Sequence, residues 1–462
     1  MNNVRILLVD PQSVTHGPPQ IVKKQDRALS MVYSHALDEV INKRMKDSSD
    51  SHNSNAVSNH YISNYGLLML GKYFKDDGVE VEYVNGDYYD DYSSFFAGVV
   101  NKAEKCQTIC FTATTPQYIS VTTMAFQLRI QFPQKLLVYG GPHAYFFQNH
   151  YEPNPFHLIC IGHDIKKSGS KILELVKKRI VPEDCVLYNT PGYTDWVKDF
   201  SLIPENCLKE TLLYSYISFG CPNKCSYCIE HYFSKRVCSL QLENKLLEIE
   251  FLIDKAKNKV VHLADSDFFI NSALANSFLE LLEKWDYNCC FTVNTSPSVI
   301  CRKETISLIK RFVNKGLVEV LIGVEYLSEK ELSYLNKRYS IADFFAALSN
   351  IRETVPELIV SFYSLIGLPG ESTTTIDENI LWTSKFKESH LFDFSFPKFF
   401  VPYPGTDIFE HPEKFKVEIL HRKWEEYHRW SLPRPIRING ISEEVFNAEL
   451  LELYKISNIT IN

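Results

Sequence analysis

The sequence predicts an α/β protein: an N-terminal open parallel sheet of the Rossmann-like kind, then a partial (β/α)6 barrel and a short helical tail. Three observations predict it. The chain has 462 residues, too many for one ordinary domain and enough for two. Apolar strand-like runs alternate with helical stretches in both halves. Between the two alternations, residues 181–210 carry Pro182, Pro191 and Pro204 with little periodicity, which reads as a linker.

In the first alternation, residues 1–180, strands are expected at 4–9, 79–84, 108–112, 135–139 and 157–161. Helices are expected at 65–75, 117–132 and 171–178. The segment 47–64 is rich in Ser, Asn, His and Asp and reads as a loop or lid. The second alternation, residues 211–406, offers strands at 212–218, 260–264, 290–294, 317–323, 358–366 and 392–400. Helices are expected at 240–255, 272–284, 303–314, 329–336, 341–353 and 376–388. Six βα units in sequence order suggest a partial barrel, with chemistry at the C-terminal strand ends. Residues 407–462 read as the helical tail.

Composition narrows the function. The formal charge is −7, with 49 basic and 56 acidic residues spread without long runs. No basic stripe marks a nucleic-acid binder. Aromatic residues make up 13% of the chain, enough to fill cores and line a pocket. No apolar stretch is long enough to span a bilayer. The opening MNNVRILLVDPQ has a short apolar run ended by Asp10, a strand pattern and not a signal peptide. A cytoplasmic location follows as the expectation, where thiols stay reduced. Most of the twelve cysteines are then small buried hydrophobes.

Three are grouped. Cys221-Pro-Asn-Lys-Cys225-Ser-Tyr-Cys228 follows the first strand of the second alternation. Three thiolates on one short loop can converge on one metal centre. A four-iron cluster wants four ligands, so three cysteines leave one iron open for a substrate. The competing reading is a zinc site completed by Cys238 or His231, though no second cysteine pair accompanies the first.

This C-x3-C-x2-C run, with an aromatic residue before the last cysteine, resembles the signature of the radical S-adenosylmethionine (SAM) enzymes. The resemblance implies a [4Fe-4S] cluster on Cys221, Cys225 and Cys228. In that family SAM chelates the open iron, and one-electron reduction cleaves it to methionine and a 5′-deoxyadenosyl radical. By the same resemblance Tyr227 lies near the adenine. His-Leu-Ala-Asp265-Ser-Asp267-Phe-Phe resembles the family's second strand end, where polar groups meet the methionine moiety. Ile322-Gly323-Val-Glu325-Tyr326, followed by Leu335-Asn-Lys337, resembles the fourth, where an acidic residue faces SAM. The family's usual serine after that glutamate is Tyr326 here. Ile366-Gly367-Leu-Pro369-Gly370-Glu371 and Val401-Pro-Tyr403-Pro404-Gly405-Thr406 resemble the turns after the fifth and sixth strands. Read without the family, Asp265 and Asp267 are helix caps and the Gly and Pro residues are turn formers.

The first half resembles the cobalamin (B12)-binding domain that precedes the barrel in one subgroup. The matching motifs are Phe111-Thr112-Ala-Thr114-Thr115 and Val138-Tyr-Gly140-Gly141-Pro142-His143. A double glycine after a parallel strand lets a backbone approach a bulky ligand, and ligands of open sheets sit outside the carboxyl strand ends. Carried over, Thr112, Thr114, Gly140 and Gly141 contact the cobalamin tail. Two departures stand out: Asp10-Pro-Gln-Ser replaces the histidine motif of other cobalamin proteins, and Ile161-Gly162-His163-Asp164 replaces the subgroup's acidic turn. His143 and His163 read as hydrogen-bonding residues.

The expected activity is therefore cobalamin-dependent radical SAM methyl transfer to an unactivated centre of a small molecule or peptide. A one-electron reductant such as flavodoxin or ferredoxin is the expected partner. The alternatives are cobalamin-independent cyclisation, epimerisation or rearrangement in natural-product or peptide maturation, and a non-enzymatic corrinoid or redox sensor. A tRNA-methylthiolating enzyme is disfavoured. That group carries a further N-terminal cysteine set and a basic tail, whereas here Cys106 and Cys110 are the only N-terminal pair.

Overall fold

The computed structural model describes residues 4–12, 23–45, 61–62, 64–148, 154–193, 197–208, 211–212, 214–234, 236–254, 260–428, 430, 434–438 and 440–457. These divide into two compact units. One lies within Met1–Thr15, Ser58–Leu213 and Lys423–Tyr427; the other lies within His16–Val57, Tyr214–Arg422 and His428–Asn462.

The first unit is built on six parallel strands: β1 (Arg5–Asp10), β2 (Glu80–Asn85), β3 (Thr108–Thr112), β4 (Leu136–Gly140), β5 (Leu158–His163) and β6 (Val186–Tyr193). Their order is β2-β1-β3-β4-β5-β6. The buried runs Ile6–Val9, Ile109–Phe111 and Leu136–Tyr139 are continuous, as parallel strands covered on both faces require. The order reverses between β1 and β3, which makes that point the natural ligand crevice.

Four longer helices flank the sheet, besides a single turn at Glu205–Leu208. Sequence positions 23–45 form α1 (Lys23–Met45), which belongs to the other unit, so the four here are α2 (Tyr65–Asp76), α3 (Tyr92–Ala103), α4 (Tyr118–Gln131) and α5 (Ile165–Lys178). Three of these start on side-chain caps: Asn64 accepts from Leu67 N, Asp91 from Ser94 N and Asp164 from Lys167 N.

The second unit holds β7 (Tyr214–Ser215), β8 (Val260–Leu263), β9 (Cys290–Thr295), β10 (Leu317–Glu325), β11 (Ile359–Ile366) and β12 (Phe394–Phe399). They pair in parallel and in sequence order, β12-β11-β10-β9-β8-β7. Among the described residues β7 and β12 remain the two edges, so the sheet is open. The later helices are α6 (Leu242–Asp254), α7 (Ser272–Lys284), α8 (Lys303–Asn314), α9 (Glu329–Tyr334), α10 (Ile341–Thr354), α11 (Thr373–Glu388) and α12 (Glu443–Ile456). Helix α1 packs here as well. Leu29, Leu37 and Ile41 join a buried cluster with Ile359 and Phe394, and the Tyr33 hydroxyl donates to Glu319 Oε2 at 2.7 Å.

The units depart from the sequence-based boundaries. Residues 23–45 pack with the second unit, the expected linker 181–210 contains β6, and 423–427 of the tail pack with the first unit. The tail also carries an antiparallel pair, Val417–Ile419 with Ile436–Ile438. Of the expected loop 47–64, only Tyr61, Ile62 and Asn64 fall within the described residues. Among the described residues no helix is long and apolar enough to cross a membrane.

Candidate functional site: a cysteine loop and a glycine-lined strand end

The cysteine loop begins at Gly220, whose φ is +90°. A Cβ there would collide with the Arg236 carbonyl, so only glycine turns the chain sharply out of the preceding strand. Cys221, Cys225 and Cys228 follow without regular structure, held by Cys221 N to Ser234 O (3.4 Å) and Cys228 N to Cys225 O (3.0 Å). The three thiols lie close enough that charge on Cys221 and Cys225 disfavours charge on Cys228. Burial pushes the Cys221 thiol up to about 11 and the Cys228 thiol up to about 12. Thiolates in such surroundings need a compensating cation, and the backbone at Asn223 and Glu230 eases the charged forms of Cys221 and Cys228 only in part. Among the described residues no three His, Cys, Asp or Glu side chains converge on one ion. A four-iron cluster makes no such demand, since each thiolate takes a different iron.

A second element faces the loop. Glu325 ends β10 with φ +63°, beyond an irregularity in its pairing with β11 between Gly323 and Glu325. A non-glycine residue there is strained, the kind of outlier that collects at functional sites. The Tyr227 hydroxyl donates to Glu325 Oε1 at 3.1 Å, and Lys337 Nζ reaches the same oxygen at 3.3 Å while also donating to Gly323 O. The loop backbone is pinned from two sides: Ser226 N donates to Leu335 O (3.1 Å), and Ile408 N donates to Ser226 O (3.3 Å).

The two aspartates sit deeper. Asp265 accepts from Ile217 N (3.0 Å), Ser218 N (2.7 Å) and Ser218 Oγ (2.5 Å). Asp267 accepts from Thr295 Oγ1 (3.0 Å) and Ser296 Oγ (2.5 Å), which ties the end of β8 to that of β9. Burial raises both carboxyls to about 6. Asp265 therefore braces the strand that delivers the cysteine loop, while Asp267 also lies within electrostatic reach of Cys221. Asn336 and Lys337 carry parts of this arrangement that the sequence reading left without a role. The signal was available, an Asn-Lys pair immediately after a short helix.

In the first unit, Thr112 and Gly140 are partners in register at the ends of β3 and β4. Thr112 is buried, and its Oγ1 has no hydrogen-bond partner. Gly141 has φ +89°, and a Cβ there would strike Thr112 Oγ1. Gly140 differs: a Cβ on it would meet nothing nearer than the Cys160 carbonyl at 3.7 Å. Thr114 is exposed and caps its turn, with its Oγ1 2.7 Å from Gln117 Oε1. Gln117 Nε2 also donates to Gln12 O at 3.2 Å, so the β1 and β3 loops are joined over the crevice. His143 is buried, its Nδ1 3.1 Å from Thr115 Oγ1 and its ring 4.5 Å from that of Tyr118. His163 is held neutral by burial, which lowers it to about 4. The open backbone at Gly140 beside the orphaned Thr112 hydroxyl fits a bulky group with a polar edge, as a cobalamin tail has.

Residues 215–382 match the family model described as the radical SAM superfamily. A tRNA-2-methylthio-N(6)-dimethylallyladenosine synthase of Ectopseudomonas mendocina is 22% identical over 251 residues, covering 50% of this chain and 54% of that one. The ribosomal protein uS12 methylthiotransferase RimO of Dictyoglomus thermophilum is 25% identical over 191 residues, 40% of this chain and 43% of its own. The chain thus spans about half the length of the curated relatives it matches. Among solved structures, the radical SAM methyltransferase TsrM of Kitasatospora setae, with cobalamin and a [4Fe-4S] cluster bound, aligns with TM-score 0.62 at 15% identity. That alignment covers 98% of this chain and 91% of that one. The cobalamin-dependent radical enzyme OxsB aligns with TM-score 0.61 at 13% identity, covering 84% of this chain and 52% of its own. Residues 215–382 thus form a radical SAM domain, opening on a strand that feeds a C-x3-C-x2-C loop, and the chain has the fold of the cobalamin-dependent radical SAM enzymes TsrM and OxsB.

Proposed function

We propose that this protein is a cobalamin-dependent radical SAM methyltransferase acting on an unactivated centre of a small molecule or peptide. The observation that carries the cobalamin part is the strand-end pair Thr112–Gly140: an unpartnered buried hydroxyl beside a backbone that a Cβ would not crowd, at the carboxyl ends of a parallel sheet. The likeness to TsrM and OxsB, both solved with cobalamin, supports the same reading. When bound, the cluster, SAM and cobalamin supply electron transfer, radical initiation and methyl carriage.

The chain's own residues do the rest. Cys221, Cys225 and Cys228 hold the cluster, and Asp265 braces the strand that presents it. Glu325 and Tyr227, joined at 3.1 Å, offer a polar edge to SAM beside the cysteine loop. Thr112, Thr114, Gly140 and Gly141 receive the cobalamin tail. A flavodoxin or ferredoxin is the class of electron donor required.

The test uses anaerobically reconstituted protein, reductant, hydroxocobalamin and methyl-labelled SAM. S-adenosylhomocysteine should form up to one equivalent per bound corrin without substrate, and 5′-deoxyadenosine should accompany it. Cleavage to 5′-deoxyadenosine alone, with corrin bound or not, would replace methyl transfer by the rearrangement reading. Absence of both nucleosides would leave a sensor.

A further inference from the structure

The short helix α9 ends in a motif built for one purpose beyond stopping it. Lys337 N donates to Leu332 O at 2.8 Å and Asn336 N to Ser333 O at 3.1 Å, the paired bonds of a Schellman turn. Asn336 occupies the left-handed position of that turn, with φ +58°. Glycine is the usual residue there because it has no Cβ penalty. Asparagine tolerates the conformation less well but brings a carboxamide. Here Asn336 Nδ2 donates to Lys224 O at 2.8 Å. The acceptor is a carbonyl, so only the NH2 end of the amide can face it.

One residue earlier in the turn, Leu335 O accepts from Ser226 N at 3.1 Å. The two bonds bracket Cys225, one on the residue before it and one on the residue after. No helix geometry demands the first of them, since a glycine would end α9 equally well.

We propose that Asn336 is a positioning residue of the cluster site, whose carboxamide fixes the loop carbonyl next to Cys225 and thereby holds that ligand on its iron. The proposal rests on Cys221, Cys225 and Cys228 being the cluster ligands. Asn336→Gly separates the two roles, because it keeps the turn and deletes only the donor. Full-length protein and variant are reconstituted anaerobically. Iron and sulfide content, the rate of iron loss to EDTA, the electron paramagnetic resonance spectrum of the reduced cluster with and without SAM, and the melting temperature are compared.

The variant should keep the wild-type melting temperature but lose iron about five-fold faster, the factor a single neutral hydrogen bond is worth. Its spectrum should broaden. Asn336→Asp, which tolerates the same backbone but presents a carboxylate to the carbonyl, should lose iron faster still; it also serves if the glycine variant does not fold. Wild-type rates and spectra in Asn336→Gly would overturn the proposal and leave Asn336 a helix stop. Failure of the wild-type chain to take up iron would instead overturn the ligand assignment beneath it.

Discussion

Cys221, Cys225 and Cys228 differ from the other cysteines in their company. Cys110 and Cys160 lie buried in their sheet and Cys289 lies buried just ahead of β9, with thiols pushed up by burial. The loop trio is raised by burial too, but backbone groups ease its charged forms and its members lie within electrostatic reach of one another. Replacing any of the three by Ala should remove most bound iron and the brown absorbance, while Cys238→Ala and Cys301→Ala should not; iron analysis after anaerobic reconstitution checks this. The glycines call for a distinction the sequence could not make. Gly141 is fixed by its positive φ and by Thr112 Oγ1, so Gly141→Val would disturb the protein itself. Gly140→Val is the clean probe: it should weaken hydroxocobalamin binding, read from the visible spectrum, with iron content unchanged. Normal corrin binding by that variant would place the tail elsewhere. The cysteine spacing and the double glycine were legible because both are local. The partners of Asp265 were not, since Ile217 and Ser218 lie far from it in sequence and meet it only through the β7–β8 pairing.

Helix α9 shows the same argument one level up. Its terminal turn clamps the cysteine loop, while its body carries Glu331, fully buried with neither carboxylate oxygen hydrogen-bonded. A Cβ on Gly370 would sit 2.8 Å from one of them. Burial, the first cause, raises the Glu331 carboxyl to about 8. Folded protein thus holds a proton there that the unfolded chain releases at lower pH. Its effect is a loss of stability as pH rises from the ordinary carboxylate range to about 8, and no further change above. Glu331→Gln should melt higher than wild type, and by more at pH 8 than at pH 5. Equal gains at the two values would mean the carboxyl is charged throughout. Element prediction itself failed where pattern and context diverge. In α1, apolar residues are scattered among Lys, Asp, Ser and Asn with no clear stripe, so its burial depends on partners far along the chain. Strand β6 carries Pro191 and Gly192, which read as breakers, and a strand at a sheet edge tolerates both. Helix α3 begins Tyr-Ser-Ser-Phe-Phe, whose strand-like composition is overruled by the Asp91–Ser94 capping box.

Across the whole molecule the buried acids act together. Asp10 and Glu319 are each raised to about 7, and Glu331 to about 8, all chiefly by burial. Three histidines oppose them, since burial lowers His157, His163 and His262 to about 4 and so favours folding as pH rises toward the ordinary histidine value. Above about 6.5 that opposing contribution is complete, and only the acids still titrate. The cluster-free protein should therefore lose melting temperature between pH 6.5 and pH 8, measured by anaerobic calorimetry. A flat or rising profile would mean that ordered water or counter-charge relieves these groups. Adding hydroxocobalamin should raise the melting temperature with ligand concentration, as any ligand of the folded state does.

Helix α1 also carries a consequence for how the chain reaches this state. Tyr33 meets Glu319 across 286 positions, and Asp26 accepts a 2.6 Å hydrogen bond from Tyr454 across 428. The helix leaves the ribosome well before β10, β11 and α12 and waits for them before its buried face is covered. Loop-closure entropy for such contacts is met late, which makes the second unit slow to complete and exposes Leu29, Leu37 and Ile41 in the meantime. A polypeptide starting at residue 211 would lack the helix altogether and leave Glu319 without its tyrosine. It should be recovered aggregated, and a synthetic peptide of residues 23–45 supplied during refolding should bring it back into solution.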